Sequence, residues 1–307
     1  GNAGDPAVDP AKYVFDPGNP NNDYLIQKVS KGPLGTDWFH QIFKPAFTQR
    51  QTISVTGGSN SADYLFSVGY LDQQGSLIET GLKRYSVRVN TNFKIGKKIR
   101  VGENAYLFYK RNPLINNQDY QESPIIPVYD IMGNYGGTWA GPELGPYYNP
   151  VAQMRNTANN KNNTWQTFGN VYAEVDFLKH FTARTSFGGT IENGYFLTFL
   201  PNRYHDLEQH SNPNSLSESA NYNSNWIWTN TITYNQVFGK HNVKALAGSE
   251  SFHDYSRSLG GSSSNFFSSD PNYLVLSNGT SDITNFSKAG IDNLYSVFGR
   301  VDYSFED

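Results

Sequence analysis

Polar and apolar residues alternate one by one along much of this chain, most clearly over residues 84–95. Tyr85, Val87, Val89, Thr91, Phe93 and Ile95 share one parity there, and Arg84, Ser86, Arg88, Asn90, Asn92 and Lys94 share the other. Successive residues of a strand point to opposite faces, so the segment predicts a strand dividing an apolar surface from a wet, cationic one. Residues 98–110, 169–177 and 295–305 repeat the division. Ile99, Val101, Ala105, Leu107 and Tyr109 oppose Lys98, Arg100, Asn104 and Lys110, while Val171, Ala173, Val175 and Phe177 oppose Asn170, Tyr172, Glu174 and Asp176. Segment 222–237 is less clean, because Asn230 shares the parity of Trp226, Trp228, Ile232 and Tyr234.

The pattern predicts about nine strands, near 50–57, 62–72, 82–95, 98–110, 165–178, 181–196, 222–237, 242–255 and 294–305. Four connections, at 57–61, 96–97, 178–180 and 238–241, have the length and composition of tight antiparallel turns. The alternate connections, about 73–81, 111–164, 197–221 and 256–293, are mostly far longer than the usual 4–6 residues. All tight turns therefore fall on one side of the sheet and all long loops on the other. Residues 1–49, rich in Pro, Gly, Asn and Asp, read as a loop segment with one short helical turn at Trp38, Phe39, Ile42 and Phe43, and residues 50–307 as barrel. The fold class expected is all-β: a partial, antiparallel, up-and-down transmembrane β-barrel with short periplasmic turns and long extracellular loops.

Composition sharpens this choice. Apolar residues make up 37% and charged residues 17%, whereas aromatics reach 15%, with 21 Tyr and 20 Phe. That is too few aliphatic side chains for a thick core and too many aromatics for disorder. Barrels collect aromatics at both membrane interfaces. Phe93, Phe177, Phe181, Phe238 and Phe305 lie beside the tight turns, and Tyr70, Tyr109 and Trp226 lie towards the long loops. There is no apolar run of the roughly 18 residues needed for a spanning helix, so a membrane role would use strands. The chain has 0 Cys and a net charge of -3, which excludes thiolate sites and gives no support to nucleic-acid binding. No signal sequence opens the chain, so an exported protein would be represented by an internal piece.

Particular words then bring a family into view. Gly35-Thr36-Asp37-Trp38, Gln41-Ile42-Phe43, Ile53-Ser54-Val55-Thr56-Gly57-Gly58-Ser59, the segment from Tyr64 to Gly75 and the segment from Gly81 to Asn90 closely resemble the start of the barrel in SusC/RagA-type TonB-dependent transporters of Bacteroidota. Asn170 to Phe177 and Ser296 to Tyr303 resemble later strands of the same barrel. The resemblance implies a barrel of about 22 strands, an N-terminal plug, a SusD-like surface lipoprotein as lid, energy from the TonB complex through the plug region, and import of oligosaccharides or peptides across outer-membrane lipid. It implies no substrate in particular. No plug or TonB-contacting segment is recognisable, and the sequence reads as an internal fragment of the barrel.

No enzyme signature is present: there is no Gly-x-Ser-x-Gly elbow, Walker loop, Gly-x-Gly-x-x-Gly or His-Glu-x-x-His. No cofactor and no metal are expected. His205, Asp206 and His210 sit in a polar loop, where solvated surface is the simpler reading, and Glu143, Asp206 and Glu208 have no catalytic spacing. The candidates for substrate contact are aromatic: Trp139, Tyr147, Tyr148, Tyr195, Tyr204, Trp226 and Trp228, since sugars stack and peptides anchor on such rings. The alternative is that they pack loops together or join the outer belt. Arg84, Arg88, Lys94, Arg100 and Arg300 are expected to line a polar lumen, bonding to the plug and neighbouring strands or touching substrate. The rival reading of the whole chain is a secreted or surface β-sandwich that binds glycans, in which the apolar faces would meet in a shared core.

Overall fold

The computed structural model describes residues 35–113, 124, 126–129, 135–136, 149–201 and 213–306. Among them, nine strands form one antiparallel sheet in sequential order: β1 Thr48–Gly58, β2 Ala62–Gln74, β3 Gly81–Ile95, β4 Ile99–Arg111, β5 Lys161–Phe177, β6 Phe181–Leu200, β7 Ser215–Phe238, β8 His241–Ser264 and β9 Ser281–Phe305. Each strand pairs with its sequence neighbour, so the topology is up-and-down throughout. The tight turns and long connections alternate as the sequence predicts. Three of the tight turns use left-handed backbone: Gly96 and Gly239 have φ of 64° and 62°, a region open to glycine at little cost, and Leu178 and Lys179 have φ of 48° and 60°.

Cross-strand register carries the alternation of β3 across the whole sheet. Val87 lies opposite Val68 and Leu107, Val101 opposite Ala173, Val175 opposite Ala183, Ala183 opposite Ile232, Ala247 opposite Ile232, and Ala245 opposite Val301. Paired residues share a face, so a single apolar surface results. No second sheet covers it among the described residues: Val297 and Val301 are 75% and 73% exposed. A sandwich would have buried these side chains. Sequential pairing of all nine strands in one sheet therefore removes the two-layer rival.

Aromatic rings edge the apolar surface in two rows. Towards the long loops, Tyr70, Tyr85, Tyr109 and Trp165 follow one another across β2 to β5, with ring centroids 5.2, 6.5 and 4.5 Å apart. Beside the tight turns, Phe177, Phe181 and Tyr234 are spaced at 5.6 and 5.0 Å, and His241 lies 5.0 Å from Phe305 and 6.0 Å from Tyr303. Tyr85 and Phe93 are about 27 Å apart along β3, and Trp165 and Phe177 about 41 Å along β5, at ~3.4 Å per residue. A tilt of about 40° shortens these to ~21 and ~31 Å, which brackets the ~25 Å apolar band of an outer-membrane barrel.

Polar groups inside the band satisfy one another, as a medium without water requires. The Thr91 hydroxyl donates to Glu103 at 2.7 Å, the Thr185 hydroxyl to Asn230 Oδ1 at 2.8 Å, and Trp228 Nε1 to the Thr185 hydroxyl at 2.9 Å. The last two explain why Asn230 breaks the parity of its strand.

The strands run further than alternation indicates. β7, β8 and β9 have 24, 24 and 25 residues, against about 9–11 for a tilted membrane crossing. Their extra lengths, such as 256–264 and 281–293, lie beyond the band, where both faces are solvated and alternation carries no selective advantage. The connections shrink accordingly to 201–214 and 265–280.

Two small cores lie at the long-loop end. Leu197, Phe199, Leu216, Phe266 and Leu274 form one over the extended ends of β6 to β8, pinned by the buried Asn214, whose Nδ2 donates to the Phe266 carbonyl at 2.9 Å while its Oδ1 accepts from Phe266 N at 2.6 Å. The other gathers Trp38, Ile42, Ile126 and Val151, joining helix α1, Trp38–Ile42, to helix α2, Pro150–Asn156. Both helices are capped by side chains: Asp37 accepts from His40 N at 3.1 Å, and Asn149 Oδ1 from Ala152 N at 3.1 Å. Asn149, fully buried, also donates to the carbonyls of Val128 and Gly136 at 2.9 and 2.8 Å.

Candidate functional site

The second face of the sheet is polar, and its chemistry is organised by the same register. Arg100, on β4, lies opposite Glu174 on β5, which lies opposite Arg184 on β6. Arg100 Nε donates to Glu174 Oε1 at 2.5 Å, and its two terminal nitrogens donate to the Asp176 carboxylate at 2.5 and 2.6 Å. A guanidinium fork meeting two carboxylates in this way makes short, charge-assisted bonds of fixed geometry. Arg184 donates to the second oxygen of Glu174 at 3.1 Å and lies over the Tyr172 ring at 4.2 Å. From Tyr172 the chain of bonds continues to Asn92 at 2.8 Å and from Asn92 to Asp63 at 2.8 Å. Five strands, β2 to β6, are thus tied together on the polar face close to the tight turns.

Nearer the long loops the polar face changes character. Arg50, Arg84 and Arg88 line a concavity of about 260 Å³ floored by Ser67, Gly69 and Ser86. Gly69 keeps the floor open, because a Cβ there would stand 2.7 Å from the Ser86 hydroxyl. Arg88 lies over the Tyr106 ring at 5.1 Å, and Tyr106 stands 5.3 Å from Phe168 and 5.8 Å from Phe108. These rings occupy polar-parity positions. Sequence reasoning passed over them, although an aromatic that breaks the alternation of an otherwise clean strand was the available signal.

The residues singled out by sequence are distributed as follows. Arg84, Arg88, Lys94, Arg100 and Arg300 all stand on the polar face. Lys94 lies opposite Arg100, and Arg300 donates Nε to Asp302 at 2.8 Å. Trp226 and Trp228 are inside β7, within the predicted strand, and register places them on the apolar face, Trp226 opposite Gly189 and Trp228 opposite Phe187. Trp226 stacks 5.9 Å from Phe187 and 5.6 Å from His253, which is the outer-belt alternative. Tyr195 donates to Glu218 at 2.6 Å and packs against the Leu197 and Phe199 core. Trp139, Tyr147, Tyr148 and Tyr204 lie outside the described residues, as do His205, Asp206 and His210. Among the described residues no group of three or more His, Cys, Asp or Glu converges on a metal-sized site.

No protein-family model matches the chain. Individual proteins do. TonB-dependent receptor P3 of Formosa agariphila is 25% identical over 299 residues, which cover 90% of this chain and 28% of that receptor. TonB-dependent receptor SusC of Bacteroides thetaiotaomicron is 24% identical over 309 residues, 89% of this chain and 29% of SusC. The structure of the RagAB peptide importer in the open-open state superimposes with a TM-score of 0.73 at 25% identity, over 91% of this chain and 32% of that one. The chain thus spans under a third of the length of the proteins it matches. About 90% of it is homologous to SusC/RagA-type TonB-dependent receptors, and its nine-stranded sheet is a partial barrel of that kind, with its place in the bacterial outer membrane.

Proposed function

We propose that this chain forms part of the barrel wall of a TonB-dependent outer-membrane transporter that imports oligosaccharides or peptides in partnership with a SusD-like surface lipoprotein. The observation that carries the reading is the similarity to the RagAB peptide importer along 91% of the chain. Sheet chemistry supports it. The apolar surface with its two aromatic rows suits lipid, and the polar surface suits a hydrated lumen. In this role no bond is made or broken: the wall holds a polar path open, and force delivered by the TonB complex acts on a plug. The Arg100, Glu174, Asp176 and Arg184 lattice stiffens the wall near the periplasmic turns, and the two small cores shape the extracellular mouth.

The reading is tested with the full-length protein. Expressed with its lipoprotein partner in a host lacking its own copy, it should fractionate with the outer membrane and support uptake of labelled oligosaccharide or peptide that stops when TonB is deleted. Recovery of folded protein in the aqueous fraction, or uptake indifferent to TonB, would refute it. Trp139→Ala and Tyr148→Ala should each weaken uptake if the loop between β4 and β5 forms a substrate vestibule. Unchanged binding and uptake in both would remove that part of the proposal.

A further inference from the structure

The arginines of the polar face fall into two groups with different surroundings. Near the tight turns Arg100 and Arg184 are held by Glu174 and Asp176. Towards the long loops, Arg50 lies opposite Leu71, Leu71 opposite Arg84, and Arg84 opposite Lys110, which sets three cations in one lateral row. Arg88 stands on the same face of β3, four residues along. Among the described residues none of these four forms an ion pair. Strands lie about 4.8 Å apart, so Arg50 and Arg84 are separated by roughly 10 Å. Arg84 and Lys110 face each other directly, an arrangement that destabilises a sheet unless an anion shares the site.

Beside the cations stand the other parts of a sugar site. Phe168 is 43% exposed on a face that is otherwise mostly polar, next to Tyr106. On the same face, Asn104 Nδ2 donates to Asn170 Oδ1 at 3.1 Å and Asn170 Nδ2 to the Ser186 hydroxyl at 3.5 Å. The concavity of about 260 Å³ is below the ~300–1,000 Å³ of a whole small-molecule site, the right scale for one unit of a longer ligand. A peptide is less well served. Strands β2 to β4, which carry Arg84, Arg88 and Lys110, are paired along both edges, so a ligand lying over them is recognised through side chains and not by strand addition.

Building on the transporter reading, we propose that Arg50, Arg84, Arg88 and Lys110 form a subsite for an anionic oligosaccharide, with Phe168 as the platform for a sugar ring. The ring carries its carboxylate or sulfate to the guanidinium groups, its C–H face lies on the phenyl, and its hydroxyls meet the asparagine and serine side chains. Guanidinium is suited to both anions, because its fork offers paired donors.

Three probes decide the matter: oligogalacturonate, a sulfated galactan oligosaccharide, and a neutral galactan oligosaccharide of equal length. They are titrated against the full-length transporter in nanodiscs, and a Glu-rich peptide serves as a fourth. The anionic oligosaccharides should bind more tightly than the neutral one, by a margin that shrinks as salt rises. Arg84→Gln and Arg88→Gln should each weaken anionic binding about tenfold and leave neutral binding nearly unchanged. Phe168→Ala should weaken all three saccharides, and Lys244→Gln, on the same face of β8, none. Whichever anion binds more tightly identifies the source of the charge.

Equal binding of charged and neutral saccharides, or equal losses for both in the arginine variants, would overturn the subsite and leave the cations a structural role against the rest of the barrel. Arginine-dependent binding of the peptide with no saccharide bound would overturn the saccharide assignment, as would binding of none of the probes. Failure of the transporter reading is distinguishable, since it appears as absence from the outer membrane or uptake without TonB. Uptake of neutral ligands alone would keep the transporter and remove the subsite.

Discussion

Val89 stands four residues from Tyr85 in one aromatic row and four from Phe93, beside the tight turns, so it occupies the middle of the apolar band. Its side chain lies between Phe66 and Ala105 on the neighbouring strands. Val89→Arg would place a cation about 10 Å from either edge of that band, using ~3.4 Å per residue and a tilt of about 40°. The cost at a bilayer midplane is about 2–4 kcal/mol, against ~0–1 kcal/mol near the interfaces. Since 1.36 kcal/mol is a factor of ten, the folding equilibrium should fall about 30- to 900-fold. Two controls share the strand: Asn90→Arg moves the same charge one residue along to the polar face, and Tyr85→Arg moves it to the row of rings. Both should cost about 1 kcal/mol or less at their charge. The assay is urea unfolding of the full-length protein in lipid vesicles, followed by tryptophan emission. If Val89→Arg and Asn90→Arg shift the transition equally, the assignment of faces is wrong. If Val89→Arg and Tyr85→Arg do so, the two aromatic rows do not mark the edges of the apolar band.

Other perturbations test separate parts of the molecule. Arg100→Gln strands Glu174 and Asp176, both partly exposed, and should cost about 1–3 kcal/mol in the same unfolding assay; adding Asp176→Asn should cost less than the sum of the two single changes, and strict additivity would contradict the bonded pair. Asn214→Ala removes both bonds to the Phe266 backbone at a buried site and should lower local stability by about 2–3 kcal/mol, read as faster hydrogen exchange and proteolysis of 265–280 with the strands unaffected. Asp37 caps α1, and the backbone N–H of His40, then its side chain, hold the carboxyl below the usual carboxylate value. A carboxyl lowered in the folded state contributes fully above its ordinary pKa near 4 and loses that contribution as pH falls through the lowered value. Protection of the α1 amides should therefore persist at pH 5 and decline only in stronger acid, and Asp37→Asn should remove the acid-side step. Loss of protection already between pH 6 and 5 would count against the cap as its cause.

Alternation alone carried much of the architecture, because a strand between lipid and water is selected residue by residue for two solvents. Arg84 to Ile95 sorted without error for that reason, and alternating loop lengths then oriented the sheet. The same logic fixed the ends of legibility. Past the band both faces meet water, so the last third of β8 and the first half of β9 left no periodic trace, and the long loops looked longer than they are. β7 likewise begins at Ser215, seven residues before its alternation does.

Tertiary structure decided what depends on register, since a one-residue slip would exchange the two faces of a strand and no single strand specifies its neighbour's alignment. Only pairing shows that Arg100 reaches both Glu174 and Asp176, and that Arg50, Arg84 and Lys110 fall in one row while the arginines near the turns are neutralised. Only pairing sets Tyr106, beneath Arg88, beside Phe168. The sequence determined which residues face lipid and which face water, a property each residue expresses alone. The structure decided which polar residues meet, a property of pairs distant in the chain.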